Sequence, residues 1–235
     1  TLPWRKTRDM YRILVSEVML QQTQVERVIP FYAEFVKRFP TAKKLAAAPL
    51  SRVLGCWQGL GYNRRAKLLQ RAARELAARN IRSIPELEAL PGVGPYTARA
   101  VAAFAWNTDS VFVETNIRTA VIHHFFPKKK KVSDADIERV LTRILPRGKA
   151  RKWYGALMDY GAYLKRSGIS HNARSDKYLK QSTFSGSLRE ARGVILRAFT
   201  RGITSRARLV RLLGPSRKAQ MQKALQALLA EELIT

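Results

Sequence analysis

The sequence is poor in the residues that build metal sites. Cys56 is the single cysteine among 235 residues, which excludes an intrachain disulfide and a cluster held by several thiolates. The three histidines, His123, His124 and His171, do not have the spacing of a metal site. No apolar run is long enough for a transmembrane helix, and the first ten residues, TLPWRKTRDM, lack the apolar core of a signal peptide. We therefore expect a cytoplasmic protein that has no membrane partner and no metal.

Acidic residues are scarce beside basic ones. The chain has 17 Asp and Glu against 44 Lys and Arg, and its formal net charge is +27. Ordinary solubility needs a net charge of only about 2 to 8. Such an excess predicts a polyanionic partner, either nucleic acid or an anionic membrane surface, and we favour nucleic acid.

Strand patterns are almost missing. The one strand-like stretch, SVFV at Ser110–Val113, is too short to support a sheet, and helical periodicity dominates the rest. It predicts one helix over Met10–Val28 and a second over Phe31–Arg38. Further helices are predicted over Thr41–Ala48, Leu50–Trp57, Arg64–Ala78, Asn116–Phe126, Ser133–Leu145 and Lys149–Leu164. The predicted fold class is all-α.

The composition changes in the last third of the chain. Residues 166–187 are polar, with Gly, Ser and Asn, and are predicted to form a linker. Residues 188–235 are predicted to form a small basic module of three helices, Leu188–Thr200, Ser205–Leu213 and Pro215–Glu232, that ends in EELIT. If EELIT begins a strand, the module resembles a winged helix, which places a helix in a DNA groove. Otherwise it is a helical cap on the main domain.

Two glycines separate two predicted helices in LPGVGPYTARA, which begins at Leu90. Gly92 and Gly94 allow positive φ and close approach of the backbone, and Pro95 fits the first turn of the following helix. The amides after Gly92 would point outward at a helix N-terminus, which is an anion site. This stretch is therefore either a contact to a DNA phosphate or an ordinary corner between helices.

Several motifs together resemble one family. Leu90–Gly94 is similar to the helix-hairpin-helix motif of DNA glycosylases. Four further stretches are similar to motifs of MutY-type adenine DNA glycosylases and follow that family's order: LPWR (Leu2–Arg5), SEVMLQQTQV (Ser16–Val25), GLGYNRRA (Gly59–Ala66) and MDYGA (Met158–Ala162). The resemblance implies a two-lobed helix-hairpin-helix glycosylase domain over residues 1–165, with the catalytic cleft between its lobes.

The resemblance assigns roles to two carboxyl groups. Glu17 lies on an apolar helix face, where burial raises the pKa of a carboxyl. It matches the family's catalytic acid, which protonates adenine, although the residues alone favour a solvent-facing or Arg-paired glutamate. Glu114 matches the family's aspartate, which stabilises a positively charged sugar, and its extra methylene displaces the charge. Asn116 matches the asparagine that helps to hold the sugar and water.

Other matched residues concern lyase activity and DNA contact. Tyr96 stands where the lyase branch of the superfamily has a lysine, and a phenol cannot form a Schiff base with the sugar. The resemblance places Gln22 and Tyr62 in the gap beside the partner base. We expect further DNA contacts from Gly92, Val93 and Gly94 of the hairpin and from the basic side chains Arg64, Arg65 and Arg118. On the residues alone, Tyr62 is equally a packed turn aromatic and Gln22 a surface residue.

Besides Glu114, the sequence differs from the family pattern in two places. Most members carry four cysteines after MDYGA that bind an iron–sulfur cluster, and this chain has none there. We expect no such cofactor, at most a monovalent cation at the hairpin, and packing of Tyr163, Tyr178 and Phe184 in place of the cluster. We also expect the family's usual C-terminal domain, which reads oxidised guanine, to be absent or replaced by the short basic module.

These observations predict a monofunctional adenine DNA glycosylase of base excision repair. It would flip adenine out of a mispair with guanine or 8-oxoguanine and hydrolyse its N-glycosidic bond without strand scission. Its partner would be double-stranded DNA that contains a mispair, and it would act as a monomer at the nucleoid. Two alternatives remain: a mismatch thymine or uracil glycosylase, and a noncatalytic mismatch-binding protein.

Overall fold

The computed structural model describes residues 2–176 and 183–234, and within them every regular element is a helix. The all-α prediction is confirmed. The α-helices are α1 (Met10–Leu20), α2 (Val25–Arg38), α3 (Ala42–Ala47), α4 (Leu50–Trp57), α5 (Arg64–Ala78), α6 (Ile84–Glu88), α7 (Pro95–Trp106), α8 (Thr115–Phe125), α9 (Asp134–Ile144), α10 (Ala150–Arg166), α11 (Leu188–Thr200), α12 (Arg206–Leu213) and α13 (Lys218–Ala230). No helix of these residues is both long and apolar enough to cross a membrane.

The chain divides into two compact units. Unit 1 takes in Arg82–Ala89 with residues of Thr1–Glu17 and Val93–Lys180, and it holds α6 to α10 and most of α1. Its core includes the buried side chains of Phe112, Ile117 and Tyr154. Phe112 stacks on Tyr154 with ring centroids 4.0 Å apart, and the Tyr154 hydroxyl donates to the Ser110 carbonyl at 2.9 Å. The stretch SVFV is therefore held in place by side-chain packing and has no strand partner among the described residues.

Unit 2 is formed by Val18–Ile81, Leu90–Gly92 and residues of Gln181–Thr235. Its buried aromatic cluster consists of Phe35, Phe39 and Trp57, which meet edge to face at centroid distances of 4.9 and 5.8 Å. On α5, Leu69, Gln70 and Ala73 are buried, and Gln70 donates to the Ala48 carbonyl at 2.6 Å. The periodic sequence of this helix therefore buries one face, as its pattern predicts.

The single helix predicted over Met10–Val28 is wrong, because the chain breaks between α1 and α2. Gln22 has φ 56°, which a continuous helix does not allow. The Arg65 guanidinium donates to the carbonyls of Val18, Met19 and Gln21 at 2.7, 3.1 and 2.6 Å. These carbonyls would otherwise accept from amides of the next turn. A side chain distant in sequence thus ends the helix.

The described part of the tail consists of helices and turns. Residues 231–234 form no strand, so the helical-cap interpretation of the tail fits the structure better than the winged-helix interpretation. Gln58 donates to the Thr200 hydroxyl at 2.7 Å, and Lys67 donates to the Glu231 carbonyl at 2.7 Å. These contacts group the tail with Val18–Ile81 in unit 2. The boundaries predicted at 165 and 187 stay predictions.

Candidate active site

Glu17 lies near the end of α1 with 4% of its surface exposed, which corrects the solvent-facing interpretation. The Tyr96 hydroxyl donates to its carboxyl oxygen Oε2 at 3.1 Å. Burial raises the pKa of Glu17 to about 7, and the negative charge of Glu114 adds to this rise; the Tyr96 hydrogen bond and the Arg5 charge oppose it. The carboxyl group can therefore carry a proton near neutral pH, as a general acid must.

Tyr96 is the second residue of α7 and directly follows Pro95. Its ring meets the edge of the buried Phe112 ring with centroids 5.8 Å apart. Burial, together with the negative charges of Glu17 and Glu114, raises the pKa of the Tyr96 phenol well above its usual range. The phenol is neutral at physiological pH and acts as a hydrogen-bond donor to Glu17.

Glu114 is the N-cap of α8. Its Oε1 accepts from the amides of Asn116 and Ile117, both at 2.7 Å, and its Oε2 accepts from the Thr115 hydroxyl at 3.2 Å. These bonds fix the carboxylate at the positive end of the helix. Because its charge acts on Glu17, the structure brings the two predicted carboxyl groups into one electrostatic site in unit 1.

Lys165 completes this site and was missed in the sequence. Its ammonium donates to the Asn116 side-chain oxygen at 2.7 Å, and burial lowers its pKa. Lys165 lies one helical turn after Gly161 of the MDYGA motif, a spacing that puts both on one face of α10. The spacing of Gly161 and Lys165 can be read from the sequence, but only the contact with Asn116 shows that Lys165 belongs to the site.

Gly161 decides how closely α10 approaches α8. A Cβ atom at this position would lie 2.0 Å from the Asn116 carbonyl oxygen and 2.5 Å from its carbon. A backbone neighbour cannot rotate away, so the small residue is required for the position of Asn116. This close approach gives the glycine of MDYGA its physical role.

We expect Gly161→Ala to destabilise the protein by about 3 kcal/mol or more, the upper end of overpacking costs. Gly155→Ala is the matched control on the same helix, because its Cβ would meet only Arg5 side-chain atoms at 3.6 Å or more. The control should be neutral or gain up to about 1 kcal/mol from helix propensity. Thermal unfolding followed by circular dichroism measures both, and equal midpoints would contradict the packing argument.

In the hairpin stretch, only the first of the two glycines has a positive φ. Gly92 has φ 79°, and a Cβ there would lie 2.7 Å from Cβ of Leu68. Gly94, by contrast, has φ −93° and ψ 176° as the N-cap of α7, so it does not use the positive φ that glycine allows. Its surroundings are open, and Val93 between the glycines is buried. Any DNA contact at Val93 must therefore use its backbone, while Gly94 leaves room at the start of the helix.

Gln22 and Tyr62 lie in two loops of unit 2 that share one anchor. Both residues have positive φ, 56° and 48°, which is unusual for side chains other than glycine. The Arg65 guanidinium donates to carbonyls of both loops, among them Gln21 at 2.6 Å and Gly61 at 3.1 Å. The pair is thus held in strained conformations, which are concentrated at functional sites.

Two of the predicted DNA contacts have other partners. Arg65 is turned inward, where burial lowers its pKa to about 10, and its terminal nitrogens donate to protein oxygens. Arg118 donates twice to one oxygen of Asp134, at 3.0 and 2.8 Å, and both side chains are largely buried. These guanidiniums hold the fold and are not presented to phosphate. Arg64 is exposed, so its guanidinium is available for the predicted contact with DNA.

Comparisons with known proteins bear on these sites. Residues 15–147 match the family model described as HhH-GPD superfamily base excision DNA repair protein. The chain belongs to this superfamily. It is 36% identical to the adenine DNA glycosylase of Mycolicibacterium smegmatis, over 99% of this chain and 87% of that protein. It is also 36% identical to the adenine DNA glycosylase of Buchnera aphidicola subsp. Baizongia pistaciae over 70% of this chain, and there the match spans about half (48%) of the relative.

Solved structures agree with the superfamily fold. A thermostable thymine-DNA glycosylase is 29% identical and superposes with a TM-score of 0.62, over 69% of this chain and 78% of that one. An endonuclease III–DNA complex is 22% identical with a TM-score of 0.59, over 67% and 75% of the two chains, and shows the fold alone. The MutY-type resemblance is confirmed by the named adenine glycosylases among the relatives.

The residues of this superfamily member do not fit a four-cysteine iron–sulfur cluster. Such clusters use cysteine thiolates, and Cys56 is the only cysteine of the chain. The expected aromatic packing is wrong for Tyr163 and Phe184, which are 57% and 60% exposed, and Tyr178 lies outside the described residues. Arg174 instead donates to the carbonyls of Phe126 and Lys129, so polar contacts hold this segment in unit 1.

Proposed function

We propose that the protein is an adenine DNA glycosylase of base excision repair. The observation that carries the proposal is the buried Glu17, whose pKa of about 7 and bond to Tyr96 suit an acid that protonates a base near neutral pH. The adenine glycosylases among the relatives, three of them aligned over nearly the whole chain, support adenine as the excised base. The exposed Arg64 and the +27 net charge support duplex DNA as the substrate.

Each site residue has one role in the proposed hydrolysis. Glu17 donates its proton to a ring nitrogen of the flipped adenine, which makes the base a better leaving group as the N-glycosidic bond breaks. The Glu114 carboxylate stabilises the positive charge that develops on the sugar. Water then adds its hydroxide to the anomeric carbon, and its second proton passes to a carboxylate. Asn116, held by Lys165, positions the sugar or this water.

Tyr96 supports base removal without strand scission. A lyase reaction in this superfamily begins with an amine that attacks the sugar, and a phenol cannot form that Schiff base. The Tyr96 hydroxyl is also committed to Glu17. We propose that the product is an intact strand with an abasic site, that the enzyme acts as a monomer at the nucleoid, and that it needs no cofactor beyond a monovalent cation at the hairpin.

The proposed substrate is adenine opposite guanine or 8-oxoguanine. A thymine or uracil mismatch glycosylase is the second candidate, which the 29% identity to a thymine-DNA glycosylase favours. The two are separated with duplexes that contain A·8-oxoguanine, A·G, T·G and U·G, followed by alkaline cleavage of abasic sites. Strand breaks at adenine before alkali would show lyase activity. Breaks only at T or U would overturn the adenine assignment, and tight binding without any break would leave a mismatch-binding protein.

Glu114→Asp tests the departure from the family pattern. Aspartate is a preferred N-cap residue, so the cap of α8 should survive. We expect the single-turnover rate to be retained or raised, because the carboxylate returns to the length that the family uses. Glu114→Gln, which keeps the size and removes the charge, should lose the rate by at least about a hundredfold, the range seen for removed transition-state electrostatics. Complete loss in Glu114→Asp would mean that this site is built around the longer side chain.

A further inference from the structure

One lysine near the end of α10 is half-buried in unit 1. Burial lowers the pKa of the Lys165 ammonium; the negative charge of Glu114 opposes this change and the positive charge of Arg118 adds to it. A lysine is rarely removed from water without a partner, because its charge loses solvation. The next residue of the helix, Arg166, is exposed. A specific contact must therefore compensate the burial of Lys165.

That contact defines the orientation of the Asn116 side-chain amide. An ammonium group has three donors and no acceptor. It can therefore bind only the oxygen of the amide, and Nζ of Lys165 lies 2.7 Å from Oδ1 of Asn116. The NH2 group of Asn116 occupies the other branch of the amide. Within residues 2–176 and 183–234 it donates to no protein acceptor, so it is available to a bound group.

The backbone of Asn116 is fixed by the same two helices. Its amide donates to Oε1 of Glu114 at 2.7 Å, which ties it to the start of α8. Its carbonyl lies against α10, where a Cβ atom on Gly161 would come within 2.0 Å of the oxygen. Lys165 follows Gly161 by one turn on the same face of α10. One helix therefore fixes both the backbone and the side chain of Asn116 beside the Glu114 carboxylate.

This orientation restricts what Asn116 can do in a hydrolysis. An amide NH2 group donates hydrogen bonds and takes up no proton. A water molecule that accepts from it keeps its second lone pair for the anomeric carbon and directs its own hydrogens at other acceptors. The acceptor fixed nearest in the chain is Glu114, whose Oε2 accepts from the Thr115 hydroxyl alone among the described residues.

We infer that Lys165 is a positioning residue, which makes Asn116 a hydrogen-bond donor to the attacking water. The inference rests on the proposed function, because it concerns the water of that same hydrolysis. As the oxygen of this water bonds to the anomeric carbon, one of its O–H bonds breaks and the proton passes to Oε2 of Glu114. Lys165 contacts neither the sugar nor the base in this role and acts through Asn116.

The test is a double-mutant cycle on the single-turnover rate of adenine release from an A·8-oxoguanine duplex at saturating protein. Lys165→Met keeps most of the side-chain length and removes the donor. We expect the rate to fall by about tenfold to a hundredfold, as it does when a reacting group is misplaced. In an Asn116→Ala background the same change should lower the rate by less than about twofold, because the group through which Lys165 acts is gone.

Two further variants complete the design. Lys165→Arg keeps a charged donor and should recover part of the rate that Lys165→Met loses, although its planar group has a different shape. Arg166→Met is the matched control, since it removes one positive charge from an exposed side chain at the end of the same helix. Its rate at saturating protein should equal that of the parent. Thermal unfolding shows that each variant is folded, and Lys165→Arg carries the test if Lys165→Met is not.

Three results would overturn this role of Lys165. Additive losses in the cycle would mean that its charge acts directly on Glu114. An unchanged rate at saturating protein with weaker duplex binding would make Lys165 a phosphate contact. An equal loss of rate in Arg166→Met would reduce the effect to general electrostatics.

Failure of the inference is distinguishable from failure of the proposed function. A parent protein that releases adenine, with an unaltered rate in Lys165→Met, would refute the positioning role and keep the function. A parent that releases thymine or uracil instead would refute the adenine assignment, and the same cycle measured with that base would decide the role of Lys165. A parent that releases no base would refute both.

Discussion

Glu17→Gln is expected to reduce adenine release by about a hundredfold to ten-thousandfold, the range that a positioned general acid contributes. Glutamine keeps the size of the side chain and can still accept from Tyr96, but it has no proton to give to the base. Single-turnover release of adenine from an A·8-oxoguanine duplex measures the loss. For the unaltered protein, kcat/KM should fall tenfold per pH unit above about 7, where Glu17 ionises. An undiminished rate in Glu17→Gln would remove Glu17 from the mechanism.

The same substitution should stabilise the protein at high pH. The pKa of Glu17 rises from 4.5 in the unfolded chain to about 7 in the folded protein, so folding binds a proton between these values. Below 4.5 both states are protonated and the group costs nothing. Between pH 4.5 and pH 7 the unfolded chain ionises while the native state keeps its proton, so stability falls by about 3 kcal/mol over this interval and is constant above it. Glu17→Gln removes this penalty, so its gain should appear between pH 4.5 and pH 7 and stay constant above.

Urea unfolding at pH 5 and pH 8 measures this difference. Glu75→Gln is the control, since Glu75 is a half-exposed residue that pairs with Arg79 on the surface of α5. Its effect should stay within about 0.5 kcal/mol at both pH values. A Glu17→Gln variant with the same stability gain at pH 5 as at pH 8 would contradict the raised pKa. Together, lower activity and higher stability would show that burial of this carboxyl serves the chemistry at the expense of the fold.

Arg65→Met is expected to cost at least about 3 kcal/mol of stability, because it leaves buried carbonyl acceptors without their charged donor. The guanidinium contacts Val18 and Met19 at the end of α1, Gln21 in the loop after it, and Leu60 and Gly61 in the loop before α5. The methionine side chain has no hydrogen-bond donor, so it cannot replace these bonds. The urea midpoint measures the loss. Arg65→Lys should recover little, because one ammonium cannot span two loops.

Arg64→Met provides a matched control one residue earlier. Arg64 is exposed, so its loss should change stability by no more than about 0.5 kcal/mol. It should weaken binding to all duplexes and lower the salt dependence of log K by about one unit of slope. Equal destabilisation by the two variants would refute the anchoring role of Arg65. Equal salt slopes in Arg64→Met and the parent would refute a phosphate contact at Arg64.

The order of motifs in the sequence was sufficient for the superfamily and the all-α class, and it gave the two carboxyl groups as a prediction. A motif such as SEVMLQQTQV specifies which residue types must meet a substrate, and that information is local. The hairpin LPGVG was recognised in the same way. The backbone conformation of the hairpin could not be recognised in this way. The value of φ at Gly94 depends on how α7 begins, and a glycine permits either sign of φ.

Charge and periodicity could not separate Arg64 from Arg65. Both are basic residues at the start of one helix, and only the packing of two loops turns one guanidinium inward and leaves the other in water. The same guanidinium ends α1 at Leu20, where apolar periodicity predicts a continuing helix. A contact between residues more than forty positions apart in the chain leaves no local pattern, which is why the break was missed.

The sequence by itself determined the superfamily of this chain, and its motifs gave Glu17, Tyr96 and Glu114 as the predicted site residues. Only the tertiary structure decided what they can do. Glu17 and Tyr96 are separated by 79 positions, and the fold buries the carboxyl, joins it to the phenol and exposes it to the charge of Glu114. Desolvation and a neighbouring charge depend on the surroundings in three dimensions, so a pKa near 7 is a property of the fold and cannot be read from the order of residues.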